Sequence, residues 1–424
     1  MTLRARLWFV GAWWLVPAMT GLGVWFVSTT RVGTDGYPLS SAVKALESTA
    51  LTYGLAAAAG ALAASRLRAS GAFDLPLVRG RLRVVADVVG PIAGSALVAV
   101  AITIWWSQLR DGALGWPGWS VVVAQGFLLV AVVCVGVAVG RRVVGWLAAS
   151  LAVVLVYVSL GFPAAIEPLW VRHLVGLSSG GCCRIDQGVD FRVVIASIAV
   201  SAGVSACAVG IATLPARATG RAPERVRVAV VALVCLVVGV VAGAGAVLGM
   251  GPDPVSDRPG GPECAEARPG VQACVWPEHR PALAHYLPLL DAVARTEAAA
   301  GLEPTTVFTE SRSEDATAAR LYLRLTSDLR TRTEDVVRAL VPDTGECLTP
   351  DGLPVRQAST TDVDDVLLLR DWWSRHLSAA GSGGAEPGSA SPLDALAPDD
   401  RRRWVSATTA ALRSCTATTP VPDP

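Results

Sequence analysis

Apolar residues fall in seven stretches of about twenty over the first 250 positions, at 7–27, 45–65, 84–106, 119–140, 143–162, 193–214 and 227–249. A helix rising about 1.5 Å per residue crosses a hydrocarbon core of roughly 30 Å in about twenty residues. The pattern therefore predicts about seven transmembrane helices. The first stretch follows Arg4 and Arg6, as a signal peptide would, but its apolar run exceeds a typical signal core and it reads as an uncleaved span. From residue 251 the pattern changes. Positions 251–270 are rich in Pro, Gly and charge and read as a linker. Helical periodicity follows at about 279–300, 314–340, 360–378 and 393–414, with a strand at Thr305–Thr309. Pro288 is expected to kink or end the first turns of the first of these helices. The expected fold is an α-helical polytopic membrane domain over 1–250, followed by an extracytoplasmic domain over 271–424 that is mainly α or α+β.

Charge orients this chain. The links on one side hold Arg4, Arg6, Arg66, Arg68, Arg79, Arg81, Arg83, Arg141, Arg142, Arg217, Arg221, Arg225 and Arg227, thirteen basic residues. The opposite links hold six: Arg31, Lys44, Arg110, Arg172, Arg184 and Arg192. Short loops rich in Arg and Lys remain cytoplasmic. The N-terminus is therefore expected inside, and an odd number of spans carries 251–424 outside the cytoplasmic membrane. Trp105, Trp106, Trp116 and Trp119 flank the third and fourth stretches where an aromatic belt is expected.

Composition sharpens the division. Residues 1–250 carry 19 basic and 9 acidic groups, a net +10; residues 251–424 carry 17 and 26, a net −9. An acidic exterior domain repels phosphate, which argues against nucleic acid as a partner. One Lys, no Asn and an excess of Ala, Val, Gly and Arg mark a GC-rich bacterial genome. Of nine cysteines, Cys134, Cys207 and Cys235 lie inside apolar stretches and read as small buried hydrophobes. Cys182, Cys183, Cys264, Cys274, Cys347 and Cys415 fall on the outer side, an even number in an oxidising compartment, and are candidate disulfide cysteines. Proximity and position suggest Cys264–Cys274 and Cys347–Cys415 among fifteen pairings of six.

The motifs that bear on chemistry mostly exclude it. Gly176-Leu-Ser178-Ser-Gly180 matches the serine-hydrolase elbow G-x-S-x-G, but lies in a short outer loop without the strand and helix that the elbow needs. His279 and His285 are six apart, not in the H-E-x-x-H order of a zinc protease, so no metal is expected. Glu310 to Asp315 reads as a polar loop and helix start. Lys44 and Glu47 are intramembrane charges, three apart at the outer start of the second stretch, and intramembrane charge is a functional hint. Gly136-x-x-x-Gly140, Gly239-x-x-x-Gly243 and Gly245-x-x-x-Gly249, with the Ala56, Gly60 and Ala64 stripe, would allow close helix approach. The chain lacks G-x-x-x-x-G-K-[ST], so any ATP-driven work needs another subunit. The chain itself is not expected to be an enzyme or to carry a cofactor.

Three segments carry a resemblance. Arg66-Leu-Arg68-Ala-Ser70-Gly71-Ala72-Phe73-Asp74-Leu75, followed by Arg79-Gly-Arg81-Leu-Arg83, resembles the cytoplasmic link between spans two and three of bacterial ABC-type exporter permeases. Trp170-Val-Arg172-His173-Leu174-x-Gly176, then Cys182-Cys183, Asp186 and Asp190, is similar to an outer loop of large actinobacterial permease-like membrane proteins. Cys274-Val-Trp-Pro277-Glu278-His279 is similar to the start of that group's exterior domain. The resemblance implies a short coupling helix docking on a separate ATP-binding subunit, with Arg68, Phe73, Asp74, Leu75, Arg79, Arg81 and Arg83 as the ATPase-coupling segment. ATP would then sit on that partner. It also implies a second permease or a second copy of this chain, and membrane lipid around both. The family usually has six spans; a seventh carrying an outer domain departs from it, and Pro76 and Gly80 interrupt any long coupling helix. A chain that anchors or senses without transporting, its outer domain binding a ligand or envelope partner, is the alternative expectation.

Overall fold

Each of the seven apolar stretches holds helix among its described residues in the computed structural model, which describes residues 12–30, 36–71, 80–113, 115–176, 182–214, 222–251, 253–311, 318–321, 323, 328–341, 360–382 and 392–413. They are α1 (Leu15–Thr29), α2 (Pro38–Glu47), α3 (Thr49–Ala69), α4 (Arg81–Asp111), α5 (Trp119–Arg142), α6 (Gly145–Gly161), α7 (Phe191–Thr213) and α8 (Ala222–Val247). Among the described residues four helices are long and apolar enough to cross a membrane: α4, α5, α7 and, within α8, Arg225–Val247. At 17 residues, α6 is a shorter apolar helix. The second stretch is divided between α2 and α3, because Ser48 turns its hydroxyl back onto the Ala45 carbonyl, a bond that competes with helix continuation.

The chain divides into two units. The membrane unit comprises Met1–Gly33, Pro38–Cys183 and Gln187–Ser256; the C-terminal unit comprises Thr34–Tyr37, Arg184–Asp186 and Asp257–Pro424.

Small residues set the helix packing of the membrane unit. A Cβ built on Gly136 would fall on the Ala57 carbonyl oxygen and stand 2.8 Å from its carbon; one on Gly140 would meet Ala61 the same way, at 2.7 Å. Gly60 faces the Val133 carbonyl oxygen from the other helix. The α3–α5 crossing is thus backbone against backbone, which side chains would hold apart. On the α7–α8 pair, Gly203 and Gly239 approach each other, and Gly243 lies over the Ala196 carbonyl. Gly245 has nothing within 4 Å of such a Cβ, so the third G-x-x-x-G spacing is not used in this way. Between helices, Tyr53 donates to Gln125 Oε1 in a buried bond joining α3 to α5. Ser41 Oγ donates to Asp111 Oδ2 at 2.7 Å, Ser107 Oγ to the Ser41 carbonyl at 3.0 Å and Gln108 Nε2 to the Pro38 carbonyl at 3.2 Å. These three bonds dock α2 on the last turn of α4. A left-handed Gly112, at φ 66°, then ends α4. Trp105, Trp106, Trp116 and Trp119 are all exposed.

A two-stranded sheet pairs β1 (Gln187–Val189) with β2 (Val255–Asp257). The C-terminal unit is built on a four-stranded sheet in the order β3 (Glu263–Arg268), β4 (Val271–Val275), β5 (Val307–Thr309), β6 (Ala318–Arg320). The β3–β4 pair is an antiparallel hairpin; β4–β5 and β5–β6 are parallel. A parallel neighbour needs a crossover, and α9 (Arg280–Ala300) supplies it between β4 and β5. Its apolar face, Leu283, Tyr286, Leu290 and Val293, buries against Ala273, Val275 and Phe308 of the sheet; α10 (Leu329–Leu340), α11 (Thr360–Ser382), the short α12 (Pro392–Ala395) and α13 (Pro398–Arg413) complete the core around Trp372, Trp373 and Trp404.

Three sequence expectations change here. The stretch 251–270 holds β2 and β3, whose Pro and Gly neighbours form turns and not a free linker. The helix expected over 314–340 gives way to β6, and the helix α10 starts only at Leu329, capped by the Asp328 side chain accepting from the Thr331 N–H. And α9 runs unbroken through Pro288, its buried face outweighing the lost hydrogen bond.

Cys264 and Cys274 lie directly opposite in the β3–β4 register and are bridged; Cys182 and Cys183 are bridged to each other. Cys347 and Cys415 lie outside the described residues, while Cys134, Cys207 and Cys235 are free thiols. The Cys264–Cys274 bridge closes a short loop, so its removal by Cys264→Ser with Cys274→Ser is expected to destabilise the C-terminal unit by about 2–3 kcal/mol. Thermal melts of the full chain in detergent would read that loss, and non-reducing peptide mapping that found Cys264 joined to another cysteine would refute the register.

Candidate functional site

Arginines gather where helices end. Carbonyls of a last helical turn lack intrahelical donors and carry the negative end of the helix dipole, so a guanidinium is favoured there. Arg141 Nη2 donates to the Leu214 carbonyl at 3.0 Å and Arg142 Nη2 to the Ile211 carbonyl at 3.2 Å, so the end of α5 caps the end of α7. Arg68, in the last turn of α3, donates to the Arg142 carbonyl at 2.7 Å, and Arg81, the first residue of α4, donates to the Thr213 carbonyl at 3.4 Å. Both residues flanking the 72–79 link are thus tied to the ends of two other helices. Arg68, Arg81, Arg83 and Arg142 are exposed, while Arg141 is buried. Of the expected coupling segment, Phe73, Asp74, Leu75 and Arg79 lie outside the described residues.

The C-terminal unit holds a second group. Glu310, expected in a polar loop, is 2% exposed. Its Oε2 accepts the Trp276 N–H at 2.7 Å, and its Oε1 bonds His279 Nδ1. Burial pushes the Glu310 carboxyl above the usual carboxylate range, against the lowering influence of His279 and of backbone donors from Trp276 and Leu323. Nearby in sequence, the Arg258 guanidinium lies over the Tyr37 ring, 4.5 Å from its centroid, and over the Trp276 ring, at 4.3 Å. Its Nη2 meets Glu278 Oε1 at 2.6 Å, and its Nη1 donates to the Ile185 carbonyl at 3.2 Å. Burial acts to raise the Glu278 carboxyl, but the hydrogen bonds and charge of Arg258 prevail and hold it below its ordinary value. Burial pushes the Tyr37 hydroxyl up. Asp186 Oδ2 pairs with Arg320 at 2.6 Å.

The remaining residues singled out in the sequence do not join either group. Lys44 and Glu47 sit half-buried on α2. His173, wholly buried, bonds the Gly251 carbonyl through Nε2 at 2.8 Å, and burial lowers its pKa. Ser178 lies outside the described residues, and His285 is exposed. Sequence reasoning did not connect Tyr37, Arg258 and Arg320 to any site. Their partners lie far away in the chain, and no local spacing signals the approach of an Arg to two rings.

A family model described as a domain of unknown function (DUF7224) matches residues 273–415. That span begins within β4 and takes in the Glu310–His279 pair. No curated protein and no solved structure matches the chain.

Proposed function

We propose that the chain is the membrane-spanning permease subunit of an ABC-type transporter, an exporter, that works with a separate ATP-binding subunit. The observation that carries this reading is the tying of both flanks of the 72–79 link: Arg68 to the end of α5 and Arg81 to the end of α7. A partner that pushed on this link would move α3, α4, α5 and α7 together, as a coupling segment requires. In this reading seven spans cross the cytoplasmic membrane, α2 and α3 together making the second, with the N-terminus and the arginine-rich ends in the cytoplasm and the C-terminal unit outside. The exposed apolar faces of α6 and α8, among them Leu147, Val154, Val234 and Val241, meet lipid or a second permease copy. The absence of a phosphate loop from the sequence leaves ATP to the partner.

The second reading is a non-transporting anchor or sensor. It is favoured by the way Tyr37 and Ile185, from two inter-helix segments, are built into the C-terminal unit around Arg258. Affinity purification from native membranes in mild detergent separates the two. The permease reading expects an ATPase to co-purify, and Phe73→Asp or Arg79→Glu to reduce it at least about tenfold, the loss expected when an interface anchor is destroyed. Recovery of the chain free of any ATPase would leave the sensor reading in its place.

A further inference from the structure

The C-terminal unit is not a single continuous tail. Its three pieces, Thr34–Tyr37, Arg184–Asp186 and Asp257–Pro424, are separated by membrane-unit segments, so the chain passes between the units five times, at 33/34, 37/38, 183/184, 186/187 and 256/257. One side chain touches all three pieces. The Arg258 guanidinium lies over the ring of Tyr37 from the first piece and that of Trp276 from the third, donates to the Ile185 carbonyl of the second and pairs with Glu278. The Arg258 backbone N–H adds a bond to the Asp186 carbonyl at 3.0 Å. Arg320 holds the Asp186 carboxylate as a second tie. The Arg258 and Glu278 side chains are only 19% and 24% exposed, so their pair is screened less than a surface one.

The two short pieces are levers because of what they join. Tyr37 is followed at once by Pro38, the first residue of α2, whose carbonyl is bonded by Gln108 of α4. Asp186 is followed by β1 and then by Asp190, which caps α7 by accepting the Arg192 N–H at 2.8 Å; the hydrogen bonds of the Arg192 side chain, with that backbone bond and the Arg192 charge, hold the Asp190 carboxyl below its ordinary value against the opposing effect of burial. A displacement of Tyr37 or Asp186 therefore reaches a helix start within one and five residues respectively.

We infer that Arg258 is a positioning residue, the pin by which the C-terminal unit holds the segments before α2 and before α7 and passes its own state to those helices. A planar guanidinium suits this: its delocalised charge sits against both rings while its separate N–H groups donate to Glu278 and Ile185, which a compact ammonium group cannot match. The inference holds for a transporter and for a sensor alike, and no ATPase enters its test.

Hydrogen–deuterium exchange of the full chain in lipid nanodiscs reads it. With Arg258→Ala, amides of residues 36–47 and 185–195 are expected to exchange at least about tenfold faster, the equivalent of about 1.4 kcal/mol of local opening. Amides of α9, in the core of the C-terminal unit, should keep their protection. Arg258→Lys, which retains charge but not the planar group and its forked donors, should open the same two segments to a lesser degree. Unchanged exchange at 36–47 and 185–195 in Arg258→Ala would overturn the inference. So would opening of α9 in step with those segments in both variants, since Arg258 would then be a pillar of the unit's own fold.

Discussion

Gly136→Leu and Gly140→Leu are each expected to abolish the folded membrane unit, whereas Gly245→Leu is expected to be tolerated. At the first two positions the atom nearest an added Cβ is a backbone carbonyl of α3, which no rotamer change can move aside. Overpacking a tight site ordinarily costs about 1–3 kcal/mol when side chains can yield. Here the helices themselves must separate, losing the buried Tyr53–Gln125 bond and the Gly60 contact on the same crossing, so the cost exceeds that range. Gly245 has open space at the same test. Fluorescence size-exclusion of a tagged chain in mild detergent measures all three. Monodisperse Gly136→Leu protein at wild-type yield would mean that α3 and α5 do not cross at these residues.

Glu310→Ala should unfold the C-terminal unit while sparing the membrane helices. The substitution leaves the Trp276 N–H and His279 without their buried acceptor. Leaving a buried donor without its acceptor costs about 1–3 kcal/mol per group, against a total stability for an ordinary domain of about 5–15 kcal/mol. Limited proteolysis should cut beyond residue 257 and spare the bundle. Glu310→Gln separates charge from hydrogen bonding. Because burial raises the Glu310 carboxyl pKa in the folded chain, its stabilising contribution is full below the unfolded value of about 4.3 and is lost as pH rises through the raised folded value. The Gln variant has no such proton, so its melting temperature should depend less on pH across that window. An equally steep pH dependence in the Gln variant would assign the titration to another group.

Much of the membrane unit was legible before any coordinates, because about twenty consecutive apolar residues admit few alternatives to a helix. The helix α5, expected at 119–140 and found at Trp119–Arg142, is the plainest case. The break at Ser48 was not legible: a single hydroxyl bonding its own helix decides it, and apolar counting passes over it. Small-residue spacing was ambiguous by itself, since 41 glycines produce such spacings by chance. Three-dimensional approach separates Gly136 and Gly140, which are used, from Gly245, which is not. In the C-terminal unit the Cys264–Cys274 pairing followed from proximity in sequence, but the sheet did not. Its strands β5 and β6 are three residues each and are held by neighbours, not by an alternation long enough to read. Glu310 does lie outside helix and strand, but its burial was not legible, because its donors come from Trp276 and His279, more than thirty residues away.

The interleaving of the two units bears on how the C-terminal unit can be handled in isolation. A fragment beginning at residue 257 would keep Arg258, Trp276 and Glu278 but would lack the Tyr37 ring, the Ile185 carbonyl and the carboxylate that Arg320 grips. Excision thus removes three of the C-terminal unit's own building blocks, and its natural boundary is a set of splice points rather than a cut.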